Sequence, residues 1–274
     1  MTDLKLLVCI IMLSLGVCAC DSDEVDLNGK YPQELISEID GASMRLIPAG
    51  EFEMGDHLDI GEADEHPVHT VYHDAFYMDT YEVTNARYKK FLDATGHEPP
   101  AFFDDPKFNK PDHPVVQVGW HDAVAYARWA GKSLPTEAQW EYAARGGWVG
   151  KRYPWGDTIT RNDANYGGTG GRDKWKYTSP VGQFPPNGFG LYDILGNVWE
   201  WCIDEYDKEF YAKSPRENPV FGNPTIPAGV DTFRTLRGGG WGGNPTDFRI
   251  ADRWYHLSSE SSIGFRCVQN VVRK

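Results

Sequence analysis

The sequence predicts an α+β protein with little regular secondary structure, on three observations. Short stretches rich in aromatic and β-branched residues fill the N-terminal third. Three helical patterns, each with its own caps, follow in the middle. Beyond the third helix, Gly or Pro interrupts the chain nearly every ten residues, too often for long elements. The hydrophobic fraction of 41% is still enough to bury a sizeable core.

The N-terminus reads as a targeting segment. Residues 6–17 form an apolar run too short to span a bilayer comfortably, preceded by Lys5. It ends in "VCACDSDE", where the small residue Ala19 precedes Cys20. That arrangement resembles a bacterial lipoprotein cleavage box, the alternatives being an ordinary secretory signal or an uncleaved anchor. Residues 1–19 are therefore expected to be a signal peptide, with Cys20 the lipidated first residue of the mature chain. Residues 20–40 read as an acidic tether, and residues 41–274, without linker or repeat, as one domain. The expected place is the bacterial cell envelope, periplasmic or surface-facing. After cleavage Cys202 and Cys267 are the cysteines left besides Cys20. A disulfide between them is compatible with an oxidising compartment. The net charge of −13 argues against nucleic acid and against a basic membrane patch, so membrane contact is expected only through the lipid anchor.

Within the domain, "MRLIPAGEFEMG" (44–55) alternates apolar residues around Pro-Ala-Gly, which suits a hairpin. Residues 69–83 read as one or two strands. Thr84 can cap a first helix, with Tyr88, Phe91 and Leu92 as its apolar face and Gly96 as its stop. Asp122 opens a second, carrying Val124, Ala127 and Ala130 on one face and ending at Gly131. Thr136 and Gln139 form a T-x-x-Q capping box for the third, with Glu141 and Arg145 as an i,i+4 pair and Gly146 as its end.

Several motifs fail. "AGKS" (130–133) lacks the first P-loop glycine, since that position is Tyr126, and a helix precedes it instead of following. No G-x-S-x-G is present. His66, His69 and His73 match no compact metal motif and suit the polar rim of a strand entry better than a zinc site. Glu137 and Glu141, one helical turn apart, read as a solvated face before a catalytic carboxylate pair. Two oxygen-rich stretches, "NDANYGGTGGRDKW" (162–175) and "GLYDILGNVWEW" (190–201), could meet the demand of calcium for six to eight oxygens.

Five stretches resemble the formylglycine-generating enzyme, or sulfatase-modifying factor, family: "MRLIPAGEFEMG", "FYMDTYEVTNARYKKFLDATG", "HPVVQVGWHDAVAYARWAGKSLPTEAQWEYAARGG", "YPWGD" and "SPVGQFPPNGFGLYDILGNVWEWC". The close, "LRGGGW…IGFRCV", fits as well, so the resemblance covers about residues 42–270 in family order. It implies the loop-rich formylglycine-generating-enzyme fold, related to C-type lectins. It also implies two structural calcium sites. One would use Asn165 and Asp173 side chains with the Tyr166 and Trp175 carbonyls, in a loop shorter than the family's. The other would use Asp193 and Glu200 side chains with the Gly196 and Val198 carbonyls. Asp193 replaces a ligand that is neutral in some members, which adds charge for calcium.

The resemblance also implies chemistry that this chain is not equipped for. In the catalytic family two cysteines after an "RGGSW"-like segment bind copper(I) and oxidise a sulfatase cysteine to formylglycine with oxygen. Here the segment is "RGGGWGGNPTDFRIADR", with Gly240 in the serine position and the cysteine positions falling near Gly243 and Phe248. No cysteine lies between Cys202 and Cys267. Copper is therefore not expected, and no catalytic residue is assigned. Three readings remain open: a family enzyme with altered chemistry, a calcium-stabilised lectin-like module binding a peptide or glycan, and a structural envelope lipoprotein. The binding reading rests on an aromatic groove of Trp199, Trp201, Trp241, Trp254 and Tyr255, with Gly243, Phe248 and Arg249 beside it. One of Trp199 and Trp201 belongs to the core by alternation, and Trp241 sits open among glycines. Arg249, Arg253 and Arg266 either clamp an acidic ligand or, more in keeping with the many acids, pair internally.

Overall fold

Pro48 and Ala49 do not close a hairpin; they carry the chain from one sheet to another. The computed structural model describes residues 31–223 and 232–271. The signal-peptide and Cys20 readings lie outside the described residues. Strands β1 (Glu34–Ile36), β2 (Ser43–Ile47), β5 (Phe76–Asp79) and β10 (Val268–Asn270) form an antiparallel sheet in the order β1-β2-β5-β10. Strand β3 (Gly50–Met54) pairs instead with β4 (His69–His73). The expected hairpin partners thus face different neighbours, because β2 is already flanked on both edges by β1 and β5. Strand β1 lies within the stretch read as a tether, and buried Asp40 accepts from Lys132 Nζ at 2.8 Å.

The three helices form where their caps put them. The Thr84 hydroxyl accepts from Arg87 N ahead of α1 (Asn85–Thr95), which stops at Gly96 with φ 70°. Helix α2 (Trp120–Trp129) begins two residues before Asp122, whose carboxylate accepts from Gly119 N at 3.3 Å. The reciprocal Thr136–Gln139 box opens α3 (Glu137–Arg145), and Gly146 closes it with φ 57°. A second four-stranded sheet runs β8-β7-β6-β9: β8 (Trp254–His256), β7 (Arg234–Arg237), β6 (Trp199–Glu205) and β9 (Ile263–Gly264), with β9 parallel to β6. Helix α3 packs against β3, β6 and β7. One core cluster joins Trp140 of α3 to Ile194, Cys202 and Phe248. A second joins α1 and α2 to Trp201, Phe265 and Cys267. Cys202 and Cys267 are free, buried thiols in these separate clusters, so the bridge weighed for them is not formed.

His66, His69 and His73 do not converge. His66 faces Asp59 at 3.7 Å, and the His69 ring lies 4.8 Å from that of Tyr211. His73 is buried among Phe52, Phe76 and Tyr142. Burial holds the His73 imidazole down at about 4, and Asn218, Ala138 and the Asp74 charge only partly offset this. A depressed histidine favours the native state when neutral, so its contribution is present above the unfolded value of about 6.5 and lost as pH falls toward 4. Denaturant titrations at pH 7 and pH 5 should therefore cost the wild type about 2 kcal/mol more than His73→Phe. Equal pH dependence in the two proteins would refute this assignment.

Candidate functional site

The glycine run leaves strand β7 with a backbone that only glycine tolerates. Gly238 and Gly239 have φ of 95° and 78°. A Cβ on Gly238 would stand 3.0 Å from Trp140 Cζ2, and one on Gly239 would stand 2.4 Å from Phe248 Cδ1. Gly240 is equally confined, by Ser262 Cβ at 3.0 Å and Trp199 Cδ1 at 3.1 Å. These three glycines let the chain pass close over the core. The open positions come after them.

Trp241 is half-buried; its indole N–H donates to the Ser261 carbonyl at 2.9 Å, and its ring meets Tyr177 edge-on at 5.1 Å. Trp199 is half-buried too, with its main-chain N–H on the Ser262 carbonyl and its ring 6.4 Å from that of Trp254, which is 53% exposed. Tyr255 stacks on Tyr206 at 4.1 Å and keeps part of its ring in solvent. Trp201 is core, donating its indole N–H to Val118 O at 2.9 Å. A face of partly exposed aromatic rings therefore flanks the glycine exit.

Two residues expected in the groove are not in it. Phe248 is fully buried against Gly239 and Gly243, its ring 5.6 Å from Tyr166. Arg249 is buried, with Nη1 and Nη2 on the Glu65 carboxylate at 2.5 and 2.6 Å. A guanidinium so engaged has no fork left for a ligand. Gly243 remains at the groove's edge, half-buried, with its carbonyl accepting from Gly167 N at 2.9 Å. A Cβ on Gly243 would point at the Phe248 ring, 3.1 Å from Cζ and 3.2 Å from Cε2. Gly243 and Phe248, near which the resemblance expects cysteines, thus adjoin in space, with the phenyl ring turned toward Gly243.

Beneath this face lies a buried ion network, which corrects the solvated-face reading of Glu137 and Glu141. They are 2% and 0% exposed. Arg237, at the end of β7, donates to Glu137 Oε1 at 2.9 Å and to Glu141 Oε2 at 2.6 Å. Arg253 donates to both Glu137 oxygens, at 2.7 and 2.9 Å, and Arg145 to Glu141 at 2.6 Å. Burial alone would raise the Glu141 carboxyl, but Arg145 and Arg237 more than reverse it and hold it at about 2. Arg253 and Arg237 likewise reverse the effect of burial on Glu137, lowering it.

The two expected calcium sets stand in different states. In the first, Asn165 donates from Nδ2 to Tyr177 O and Asn197 Oδ1, leaving its buried Oδ1 without a partner. Asp173 accepts from Tyr166 N at 3.4 Å and Trp175 N at 3.2 Å. A cation is already there: Arg161 Nη1 donates to the Tyr166 carbonyl at 2.6 Å and to Asp173 Oδ2 at 3.2 Å.

In the second set, Asp193 accepts from Gly182 N through Oδ2 at 2.5 Å, and its Oδ1 is buried without a partner. Glu200 is held by Arg266, at 2.8 Å from Nη2, and by the Trp140 indole N–H at 2.8 Å. Glu82, which sequence reasoning missed, is buried next to them and accepts from Asn197 Nδ2 at 2.6 Å and Val198 N at 3.3 Å. Burial first, then the Asp193 and Glu200 charges, push the Glu82 carboxyl well up. Burial, with Glu200 adding to it, raises Asp193 to about 6. Three buried carboxylates thus share the single guanidinium of Arg266. Among the described residues no three His, Cys, Asp or Glu side chains form a metal-ligating cluster. An ion at Asp193 would therefore depend on the Gly196 and Val198 carbonyls. The orphaned Asp193 oxygen and the unbalanced negative charge fit a divalent cation there.

The sulfatase-modifying factor enzyme 1-like domain matches residues 33–271. A formylglycine-generating enzyme of Streptomyces coelicolor is 38% identical over 288 residues, covering 82% of this chain and 88% of its own. That of Thermomonospora curvata is 35% identical, covering 92% and 99%. Among solved structures, PvdO from Pseudomonas aeruginosa superposes with a TM-score of 0.75 at 29% identity, covering 88% of this chain and all of its own.

Proposed function

The chain belongs to the sulfatase-modifying factor enzyme 1-like family, and from that premise we propose that it is a member whose tryptophan face binds a peptide segment or glycan in place of oxidising a cysteine. One observation carries the reading: Gly243 and Phe248, near which the copper-binding pair is expected, carry no sulfur, and a Cβ on Gly243 would stand 3.1 Å from the Phe248 ring. Copper(I) wants soft thiolates. Burial pushes both remaining domain thiols, Cys202 and Cys267, well up, away from the thiolate form. Partly exposed aromatics beside an open glycine backbone suit a ligand with apolar faces and hydrogen-bonding edges. The lipoprotein pattern at Ala19-Cys20 would hold this face at the bacterial envelope.

Calcium belongs to the same reading as a structural ion. Asp193 would hold it with the Gly196 and Val198 carbonyls, and Glu82 lies alongside. Glu200, a ligand by the resemblance, has both oxygens taken by Arg266 and the Trp140 indole and would contribute charge only. The ion would supply positive charge that Arg266 alone does not. Metal analysis of the purified protein tests both halves: calcium present, copper absent. Chelation should lower the melting temperature by roughly 5–10 °C, as expected for losing about 2–3 kcal/mol of ligand stabilisation. Stoichiometric tight copper(I) binding by the wild type would overturn the proposal. Peptide and glycan arrays test the face directly. Trp241→Ala and Trp254→Ala should each weaken a hit by about tenfold, the worth of one lost aromatic contact. A blank array with a co-purifying envelope protein would favour the structural-lipoprotein reading instead.

A further inference from the structure

We infer that Arg161 is the resident cation of the 161–175 loop, occupying the place the resemblance gives to a calcium ion. The loop curls its carbonyls inward around the guanidinium. Nη1 donates to Tyr166 O at 2.6 Å, Gly168 O at 3.1 Å and Asp173 Oδ2 at 3.2 Å, and Nη2 donates to Gly167 O. The guanidinium carbon also lies 3.7 Å from the Tyr166 ring centroid. Three successive carbonyls, a carboxylate and an aromatic face are what a cation needs.

The fit is close enough to shape the chain. Gly168 has φ 97°, and a Cβ there would stand 2.8 Å from Arg161 Nη2. Arg161 closes the loop at its base as well, since its carbonyl accepts from Asp173 N at 2.9 Å.

Charge and ligand count both turn calcium away. Asp173 contributes one negative charge, and Arg161 already balances it. A divalent ion added here would leave two positive charges in excess. Calcium also needs six to eight oxygens. The Tyr166 carbonyl is taken by Arg161, and both Asp173 oxygens accept N–H donors. The Asn165 Oδ1 atom is the one expected side-chain ligand left over.

This cation also reaches the groove. Gly167, held by Arg161, donates its N–H to the Gly243 carbonyl, and a Cβ on Gly167 would be only 2.7 Å from that oxygen. Arg161 therefore fixes the groove's edge without depending on dissolved calcium.

Hydrogen exchange of the whole protein, read by mass spectrometry, tests this in two independent arms. In the wild type, EGTA should leave exchange across residues 160–176 unchanged, whatever it does to residues 190–200, which report on the Asp193 set separately. In Arg161→Gln, exchange across 160–176 should speed up by roughly tenfold or more, as for a loop whose closing contacts are lost. Deprotection of 160–176 by EGTA in the wild type would overturn the inference, as would wild-type protection in Arg161→Gln. If that variant does not fold, the wild-type arm still decides.

Discussion

Arg237→Met is expected to lower the unfolding free energy by about 3–5 kcal/mol, the range for breaking a buried ion pair by removing one partner. Arg237 is fully buried and serves two carboxylates, the Ile250 carbonyl at 2.6 Å and the Tyr211 hydroxyl at 3.3 Å. Methionine fills much of the volume but returns no charge. Glu137 keeps Arg253 and Glu141 keeps Arg145, so neither acid is stranded entirely, yet each loses its nearest neutraliser on the β7 side. Arg237→Lys should fall between the two proteins, because an ammonium cannot span two carboxylates and a carbonyl as a planar fork does.

Acid pH makes the claim specific. Glu141 is depressed from 4.5 to about 2 in the folded state. A depressed carboxylate stabilises above its unfolded value and loses that contribution as pH falls through its folded value. The deficit of Arg237→Met should therefore be largest above pH 5 and shrink as pH approaches 2. Urea titrations across that range would show it. A pH-independent deficit would mean that lost packing, not lost charge, sets the cost.

The same network marks how far the sequence could be read. Helix ends were legible because caps are local: Thr84, the Thr136–Gln139 box, Gly96 and Gly146 each act within one turn. The spacing of Glu137 and Glu141 was legible as well, since i,i+4 fixes a shared face. What that face meets was not. Its partners Arg237 and Arg253 lie 100 and 116 residues from Glu137. Pro48-Ala49-Gly50 signalled a change of direction correctly, but a turn and a passage between sheets use the same residues. Glu82 carried a faint signal, an acid inside an aromatic strand exit just before the Thr84 cap, and its meaning depended on Asp193 and Glu200 far along the chain. Phe248 was misplaced because a loop sequence gives position without direction. Its ring turns inward under Gly239, where glycine alone leaves room.

That inward ring frames the largest change of function a small substitution should produce. The double variant Gly243→Cys/Phe248→Cys is expected to bind one copper(I) tightly, where the wild type is expected to bind none. Gly243 lies outside the left-handed region, so a side chain there brings no backbone strain. Its Cβ would meet the outer edge of the Phe248 ring, at Cζ and Cε2, and removing the ring opens that space. Two thiols would then face one another across it, a donor pair that copper(I) prefers to imidazole or carboxylate. The cost is real: Phe248 is fully buried, and cutting it to cysteine should destabilise the protein by roughly 3–5 kcal/mol. Folding must therefore be checked first, by thermal melts with and without the metal. Competition against a coloured copper(I) chelator then measures affinity, with Gly243→Cys and Phe248→Cys as controls. Cooperation between the thiols requires the double variant to bind at least ~100-fold tighter than either single one, about 2.7 kcal/mol of coupling. Single-variant affinity in the double would show that the two positions touch without sharing the geometry of a metal site, and the groove would have diverged in shape as well as in residues.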